Sequence, residues 1–196
     1  MSEFLLYFKM GLNHVLDFSA YDHILFLIVL AVVFSFNQFK KVIWLVTLFT
    51  IGHTLTLFLS AYGLLFEMNK KNIEIVEFLI PFTIFVTGVV NIFTAKKSST
   101  GKQNTNLIFA VVFGLIHGLG FSNYITRLVS GDDNKLLILS EFAIGIEAAQ
   151  IIIVIGILII GTLLQNFFRV TKRDWILVCS SIVIGLSLKK IINSKQ

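Results

Sequence analysis

Six long stretches of the sequence consist almost entirely of apolar residues, and no other feature constrains the fold as strongly. A helix that crosses a membrane needs roughly 20 mostly apolar residues. The stretches cover about residues 4–36, 42–66, 73–95, 106–129, 136–168 and 175–192. They do not alternate with a period of two, and lipid does not tolerate open sheet edges. The sequence therefore predicts one all-α domain over residues 1–196, a polytopic membrane bundle of about six transmembrane helices.

The composition excludes several other classes of protein. Charged residues make up 14% of the chain and hydrophobic residues 56%, whereas a soluble domain has about 25% charged residues. The basic residues are spread over many short loops, so they do not form a surface for nucleic acid. Cys179 stands alone and makes neither an internal disulfide nor a thiolate metal cluster. We expect the protein to lie in a lipid bilayer, which is the cell membrane if the protein is bacterial. The sequence leaves the oligomeric state open.

The first apolar stretch has two interpretations because its opening half is polar. It contains His14, Asp17, Asp22 and His23. The stretch is either one long helix or a re-entrant piece followed by a short span, which would add a seventh helical segment.

The lysine and arginine residues of the loops give only a weak indication of the orientation in the membrane. Lysine and arginine are equally frequent on the two sides, so the positive-inside rule gives a tie. Clusters of basic residues at 96–102 and 169–173 favour a cytoplasmic position for the third and fifth loops.

All four histidines of the chain lie within the apolar stretches, together with several carboxylates. A charge in the membrane interior costs a few kcal/mol, so such residues are candidates for function. With a rise of 1.5 Å per residue, His53, His117 and Glu147 lie about 17 to 20 Å from the helix ends at the second and fourth loops. Asp22 and His23 fall at a similar depth. The sequence thus predicts one layer of imidazoles and carboxylates, drawn from the first, second, fourth and fifth stretches.

Small residues beside this layer predict close helix packing. Gly114 and Gly118 are four residues apart and form a face on which two helices approach closely. His117 lies within that segment, which predicts that it points into the bundle. Gly145 and Ala149 form a second pair of this kind in the fifth stretch.

Other polar residues are predicted to support the layer or the route to it. Thr50 and Thr56 flank His53 and are positioned to bond its ring or a ligand, while Gln150 shares a helix face with Glu147. Asp17 is interpreted as a partner of a ligand or a helix cap. Two further carboxylates near the mouth either attract cations or are ordinary interfacial groups; these are Glu77 and Glu141.

Imidazole nitrogen combined with carboxylate oxygen suits Ni²⁺, Co²⁺, Zn²⁺ and Cu²⁺, and the donor types alone do not choose among them. Three functions use such a layer. A permease would pass a divalent metal ion through it. A membrane-embedded hydrolase would hold Zn²⁺ on three histidines, with Glu147 or Asp22 as general base. A structural subunit would use the same groups only as a hydrogen-bond network between helices.

Five short motifs, in order along the chain, resemble the HupE/UreJ family of membrane proteins. They are YDHILF at 21–26, FTIGHTLTL at 49–57, VEFLI at 76–80, FGLIHGLGF at 113–121 and FAIGIEAAQ at 142–150. The resemblance covers about the first 150 residues and implies six or so spans and a role in nickel or cobalt permeation. By position, the family's polar motif residues correspond to His14, Asp22, His23, His53, His117 and Glu147.

Two places depart from the family pattern. The fifth motif reads Ala148-Ala149-Gln150 where a glycine is more usual, and the family has a histidine separated by five residues from the Asp-His pair, where this chain has Leu16. The nearest histidine is His14, so either two residues are inserted or the first ligand has changed. The function predicted first is therefore a nickel- or cobalt-type permease whose metal site contains these residues, with a zinc hydrolase as the alternative.

Overall fold

The computed structural model describes residues 3–18, 21–65, 69–95, 103–132 and 134–194, without the side chains of residues 103–106. This part of the chain is all helical. Its elements are α1 (Glu3–Leu16), α2 (Asp22–Ala31), a 3-10 turn (Phe36–Gln38), α3 (Phe39–Ala61), α4 (Lys70–Thr94), α5 (Gln103–Leu128), α6 (Lys135–Phe167) and α7 (Lys172–Asn193). The predicted fold class is confirmed.

Five of the helices are long and apolar enough to cross a membrane. These segments are Phe36–Ala61, Lys70–Thr94, Leu107–Leu128, Lys135–Phe167 and Lys172–Asn193, whereas α2 is a shorter apolar helix. Their outward faces carry many exposed large apolar side chains, for example Phe93, Ile108 and Phe167. Such faces suit lipid, and the chain is a multi-pass membrane protein.

The first predicted span is two helices, so the interpretation as one long helix is wrong. Helix α1 ends at Leu16 and α2 begins at Asp22. The break falls where the sequence is most polar, and Asp22 occupies the first turn of α2, where a carboxylate interacts favourably with the helix dipole. Neither helix has the length of a full span. This break places His14 and His23 on separate helices.

The remaining predicted starts and ends agree with the structure within three residues, except at the end of α3. We predicted that this span reaches residue 66, but α3 ends at Ala61. Gly63 has φ 68°, and the Leu64 N–H donates to the Leu59 carbonyl at 2.8 Å. This is the glycine-terminated cap that ends many helices, and it stops α3 early. Phe66 itself lies outside the described residues.

Glycines bring α3 and α5 into backbone contact, as the small-residue pattern predicted. A Cβ atom on Gly114 would collide with the Phe49 carbonyl oxygen, and one on Gly118 would lie 2.6 Å from the His53 carbonyl oxygen. From the other side, Gly52 meets the backbone of α5 in the same way. Because the two backbones touch here, His53 and His117 are held in fixed relation to each other, and their rings lie 5.8 and 5.6 Å from that of His23.

The other predicted small-residue pair serves a different contact. Gly145 of α6 packs against the backbone of α1 at Phe8, and Gly11 of α1 packs against the backbone of α6 at Phe142. Ala149 on the same helix is fully buried. These contacts fix α1 against α6 and thereby position His14.

Candidate metal centre

Four histidines from four different helices meet inside the bundle. His14 lies near the end of α1, His23 near the start of α2, His53 within α3 and His117 within α5. The ring centroids are 4.7 Å apart for His14 and His23, 5.8 Å for His23 and His53, and 5.6 Å for His23 and His117. We call these four side chains the imidazole cluster. The structure therefore brings together all the histidines that the sequence placed in apolar stretches.

Three members of the imidazole cluster are close enough to share one ion. His14, His23 and His53 each offer one ring nitrogen, and these three nitrogens lie within 4.8 Å of one another. A metal–nitrogen bond is about 2 Å long. Small side-chain rotations would bring the three nitrogens to bonding distance of one ion, with His117 beside them.

Most ring nitrogens of the imidazole cluster form no hydrogen bond. The buried ring nitrogens without a hydrogen-bond partner are His14 Nε2, both nitrogens of His23, both nitrogens of His53, and His117 Nε2. Native proteins pair about 90% or more of their buried polar groups, and each unpaired group costs about 1 to 3 kcal/mol. A neutral imidazole has one nitrogen with a lone pair, so the four rings offer up to four nitrogens, and a metal ion would accept their lone pairs.

His117 is already oriented for such a role. Its Nδ1 lies 2.8 Å from the main-chain carbonyl of Phe113, one helical turn earlier. A carbonyl only accepts hydrogen bonds, so Nδ1 is the donor and Nε2 carries the free lone pair. Metal-binding histidines commonly hold their second nitrogen in this way.

Aromatic side chains enclose the imidazole cluster. Phe121 lies with its ring centroid 3.9 Å from that of His14, and Phe26 and Phe49 lie 5.5 and 5.2 Å from His117. The rings of Phe26 and Phe49 stack on each other at 4.7 Å. These apolar walls exclude water, so a cation bound here would depend on the imidazoles and nearby carboxylates for its stability.

A cavity of about 670 Å³ extends to the imidazole cluster. Its lining includes Met10, Asn13, His14, Asp17, Tyr124 and Phe142. Asp17 and Tyr124 are exposed, whereas His14 is half-buried at the inner end. The cavity therefore provides an approach to His14 from outside the bundle, and Asp17 lies along it rather than within the cluster.

Asp22, which was predicted as a ligand, is engaged by a basic residue. It forms an ion pair with Lys190 of α7, whose ammonium group also lies 4.9 Å from the centroid of the Tyr21 ring. The second carboxylate oxygen, Oδ1, is buried and has no hydrogen-bond partner. Asp22 is thus adjacent to the imidazole cluster along the chain, with one oxygen bound and one free.

Glu147, also predicted as a ligand, lies in a separate group of polar side chains. Thr47 donates to one of its carboxylate oxygens at 2.5 Å and Thr50 donates to the other. Thr50 also contacts Gln150 Oε1 at 2.9 Å. We call Thr47, Thr50, Glu147 and Gln150 the carboxyl cluster. The single layer that the sequence predicted is therefore two clusters in the structure.

The two threonines expected to bond His53 do not do so. Thr50 belongs to the carboxyl cluster, and Thr56 donates to the main-chain carbonyls of Gly52 and Leu115 at 3.2 and 3.1 Å. Both ring nitrogens of His53 lack partners. Threonines within helices often bond the carbonyl one turn earlier, which competes with a side-chain partner.

The two carboxylates predicted near the mouth differ in their surroundings. Glu77 of α4 is exposed, whereas Glu141 of α6 is buried and only 8% exposed. Their part in attracting cations stays a prediction.

Sequence reasoning missed two residues that contact the predicted site. Neither Lys190 nor Thr47 was predicted as part of the site. A signal existed for Thr47, because it precedes Thr50 by three residues and therefore shares its helix face. Lys190 offered no comparable signal, since its partner Asp22 lies 168 residues away in the sequence.

Comparison with known proteins gave one match. A family model described as HupE / UreJ protein matches residues 1–193 of the chain. The match extends beyond the five motifs and includes α7. No curated protein matches the chain, and no solved structure matches it.

Proposed function

Because the chain belongs to the HupE/UreJ family, we propose that it is a membrane permease for a divalent transition-metal ion of the nickel or cobalt type. The imidazole cluster is the site at which the ion, as transported substrate, is held. The observation that carries this proposal is the set of six buried ring nitrogens without partners, contributed by four helices. Each ring offers at most one lone pair, and the convergence of four such rings favours an ion as their common partner.

The chemistry of the site supports a transition metal rather than a hard cation. Imidazole nitrogens suit nickel, copper, zinc and iron, whereas Mg²⁺ and Ca²⁺ prefer oxygen. His14, His23 and His53 supply only nitrogen ligands. Of the two predicted carboxylate ligands, Asp22 pairs with Lys190, and Glu147 accepts hydrogen bonds from Thr47 and Thr50. Zinc has the same preference, so the choice among nickel, cobalt and zinc is left to experiment.

The route through the protein has an open part and a closed part. The cavity beside Asp17 leads inward to His14. On another side of the cluster, Phe26 stacks on Phe49 and also packs at 5.8 Å from Phe113, which forms an aromatic layer. We infer that the ion approaches through the cavity and that its release requires the aromatic layer to open.

The hydrolase alternative finds no support among the described residues. A zinc hydrolase needs a carboxylate free to accept a proton from bound water. Both oxygens of Glu147 accept hydrogen bonds from threonines. Asp22 is held by Lys190, and its remaining oxygen is not among the ligand atoms that converge in the cluster. We therefore keep transport as the one proposed function.

The test is metal uptake into proteoliposomes that contain a fluorescent metal indicator. We expect the wild-type protein to admit Ni²⁺ or Co²⁺ and to exclude Mg²⁺. A His23→Ala, His53→Ala double variant should lose uptake to the level of protein-free liposomes. Thr54→Val is the matched control, because the Thr54 hydroxyl is buried without a partner and lies outside the cluster.

Two outcomes would contradict the proposal. The first is wild-type protein that admits none of Ni²⁺, Co²⁺ and Zn²⁺. The second is a double-histidine variant that is folded, as judged by its elution volume in detergent, and still transports at the wild-type rate.

A further inference from the structure

The ion pair between Asp22 and Lys190 lies directly beside the imidazole cluster. Asp22 precedes His23, a member of the cluster, and Lys190 reaches it from α7. The side chains of Asp22 and Lys190 are only 17% and 29% exposed. The ring of His23, the residue after Asp22, lies 5.6 Å from that of His117 and 4.7 Å from that of His14. A positive charge of the protein itself therefore stands within electrostatic range of the candidate metal site.

Asp22 is placed to interact with two different cations. One of its oxygens binds the Lys190 ammonium group, while Oδ1 is buried and has no hydrogen-bond partner. The nitrogens of the adjacent His23 are also unpartnered. A divalent ion at the cluster would attract this carboxylate and repel the ammonium group, and both effects are large where water is excluded.

We propose that Lys190 is an internal counter-cation that competes with the transported metal for Asp22. In the metal-free protein, Lys190 neutralises the carboxylate. When the ion binds the imidazoles, Asp22 turns towards it and Lys190 is released to the solvent side. This exchange limits the affinity of the site, so that the ion can also leave. The inference rests on the proposed function, since it requires a metal ion at the imidazole cluster.

The chain contains its own control for this inference. Lys189 is the preceding residue of α7, carries the same charge and is exposed. Consecutive residues of a helix point in directions about 100° apart, so Lys189 does not share the contact with Asp22.

The first experiment measures Ni²⁺ binding by calorimetry on the full chain in lipid nanodiscs. Lys190→Met should tighten binding about tenfold, which corresponds to about 1.4 kcal/mol, because Asp22 is then free for the ion. Lys189→Met should bind as the wild type does. In an Asp22→Asn background, Lys190→Met should produce a clearly smaller gain, because the contested carboxylate is absent.

The second experiment needs no substitution and so does not depend on the folding of a variant. An amine-acetylating reagent is applied to wild-type protein with and without Ni²⁺, and mass spectrometry follows Lys189 and Lys190 separately. Ni²⁺ should raise the acetylation rate of Lys190 severalfold and leave that of Lys189 unchanged. Mg²⁺ should change neither rate.

The inference is overturned if Ni²⁺ binds but leaves the acetylation of Lys190 unchanged or lowers it. It is also overturned if Lys190→Met tightens Ni²⁺ binding by the same factor in the wild-type background and in the Asp22→Asn background. Lys190 would then act only by repelling the metal ion and not by competing for Asp22. If calorimetry shows that the wild-type protein binds no Ni²⁺, the proposed function itself fails. Failure of the proposed function is thus distinguishable from failure of this inference.

Discussion

The imidazole cluster and the carboxyl cluster both hold polar side chains inside the bundle, but they differ in how those groups are paired. In the carboxyl cluster, Thr47 and Thr50 supply hydrogen bonds to Glu147 and link it to Gln150. In the imidazole cluster, His117 Nδ1 bonds the Phe113 carbonyl, whereas six buried ring nitrogens have no partner. The carboxylate of Glu147 is thus paired at both oxygens, although Gln150 Nε2 beside it is buried without a partner, while most ring nitrogens of the imidazole cluster are unpaired.

This difference indicates different roles. Side chains that satisfy one another stabilise the packing of the helices that carry them, here α3 and α6. Side chains that converge without satisfying one another lower the stability of the metal-free protein and are suited to a ligand. Burial and depth alone would not have separated the two clusters, since Gln150 and His53 are both fully buried.

The largest expected effect is on metal affinity, which should depend on the imidazole cluster and not on the carboxyl cluster. His53→Ala removes a side chain that faces both His14 and His23, and Ni²⁺ affinity should fall more than about 100-fold, because even the loss of a residue that supports a ligand costs 10- to 100-fold. Glu147→Gln should stay within about threefold of the wild type, because its partners lie in the other cluster. Calorimetry in nanodiscs measures both. Equal losses for the two variants would show that Glu147 is a ligand after all.

A smaller effect is expected from separating α3 and α5 without touching a polar residue. Gly114→Ala places a methyl group against the Phe49 carbonyl oxygen. The variant should lose about 1 to 3 kcal/mol of stability from overpacking, and Ni²⁺ affinity about tenfold, because His117 moves away from His53. Gly156→Ala is the control, since nothing lies near that site. Unchanged affinity in a destabilised Gly114→Ala protein would indicate that His117 contributes little to binding.

The smallest effect concerns the stability of the metal-free protein. Thr50→Val removes the hydroxyl that contacts both Glu147 and Gln150, and it should lower the free energy of unfolding by about 1 kcal/mol. Thr54→Val is the same substitution one turn along α3, at a buried hydroxyl without a partner. It should leave stability unchanged or raise it, because an unpaired buried hydroxyl is itself destabilising. Thermal unfolding in detergent compares them. A larger loss for Thr54→Val than for Thr50→Val would contradict this account of the carboxyl cluster.

The helices were predictable because length and apolar character are local properties of the sequence. The five long helices begin and end close to the predicted positions, and even the break in the first stretch follows from its polar residues. The early end of α3 at Ala61 was missed, because Gly63 is followed by further apolar residues that extend the hydrophobic pattern.

The convergence of the histidines was predictable only in part. Depth along each helix gives the level of a side chain in the membrane, and this correctly grouped His23, His53 and His117. Glu147 was assigned to the same level, but its partners Thr47 and Thr50 lie about two turns and one turn before His53 on one face of α3. The pairing of Asp22 with Lys190 depends on how α2 packs on α7, which no local pattern of residues specifies.

The glycine contacts have a consequence for motion. Where backbone meets backbone, no flexible side chains remain to absorb sliding, so α3 with α5 forms one rigid unit and α1 with α6 another. His53 and His117 belong to the first unit and His14 to the second. The hydrogen bonds of Thr47 and Thr50 to Glu147 join the two units. A rearrangement that frees an ion would therefore turn the units about this connection and widen the gap between His14 and His53, while the spacing of His53 and His117 stays constant. The boundary between the two moving bodies would run through the middle of the ligand set.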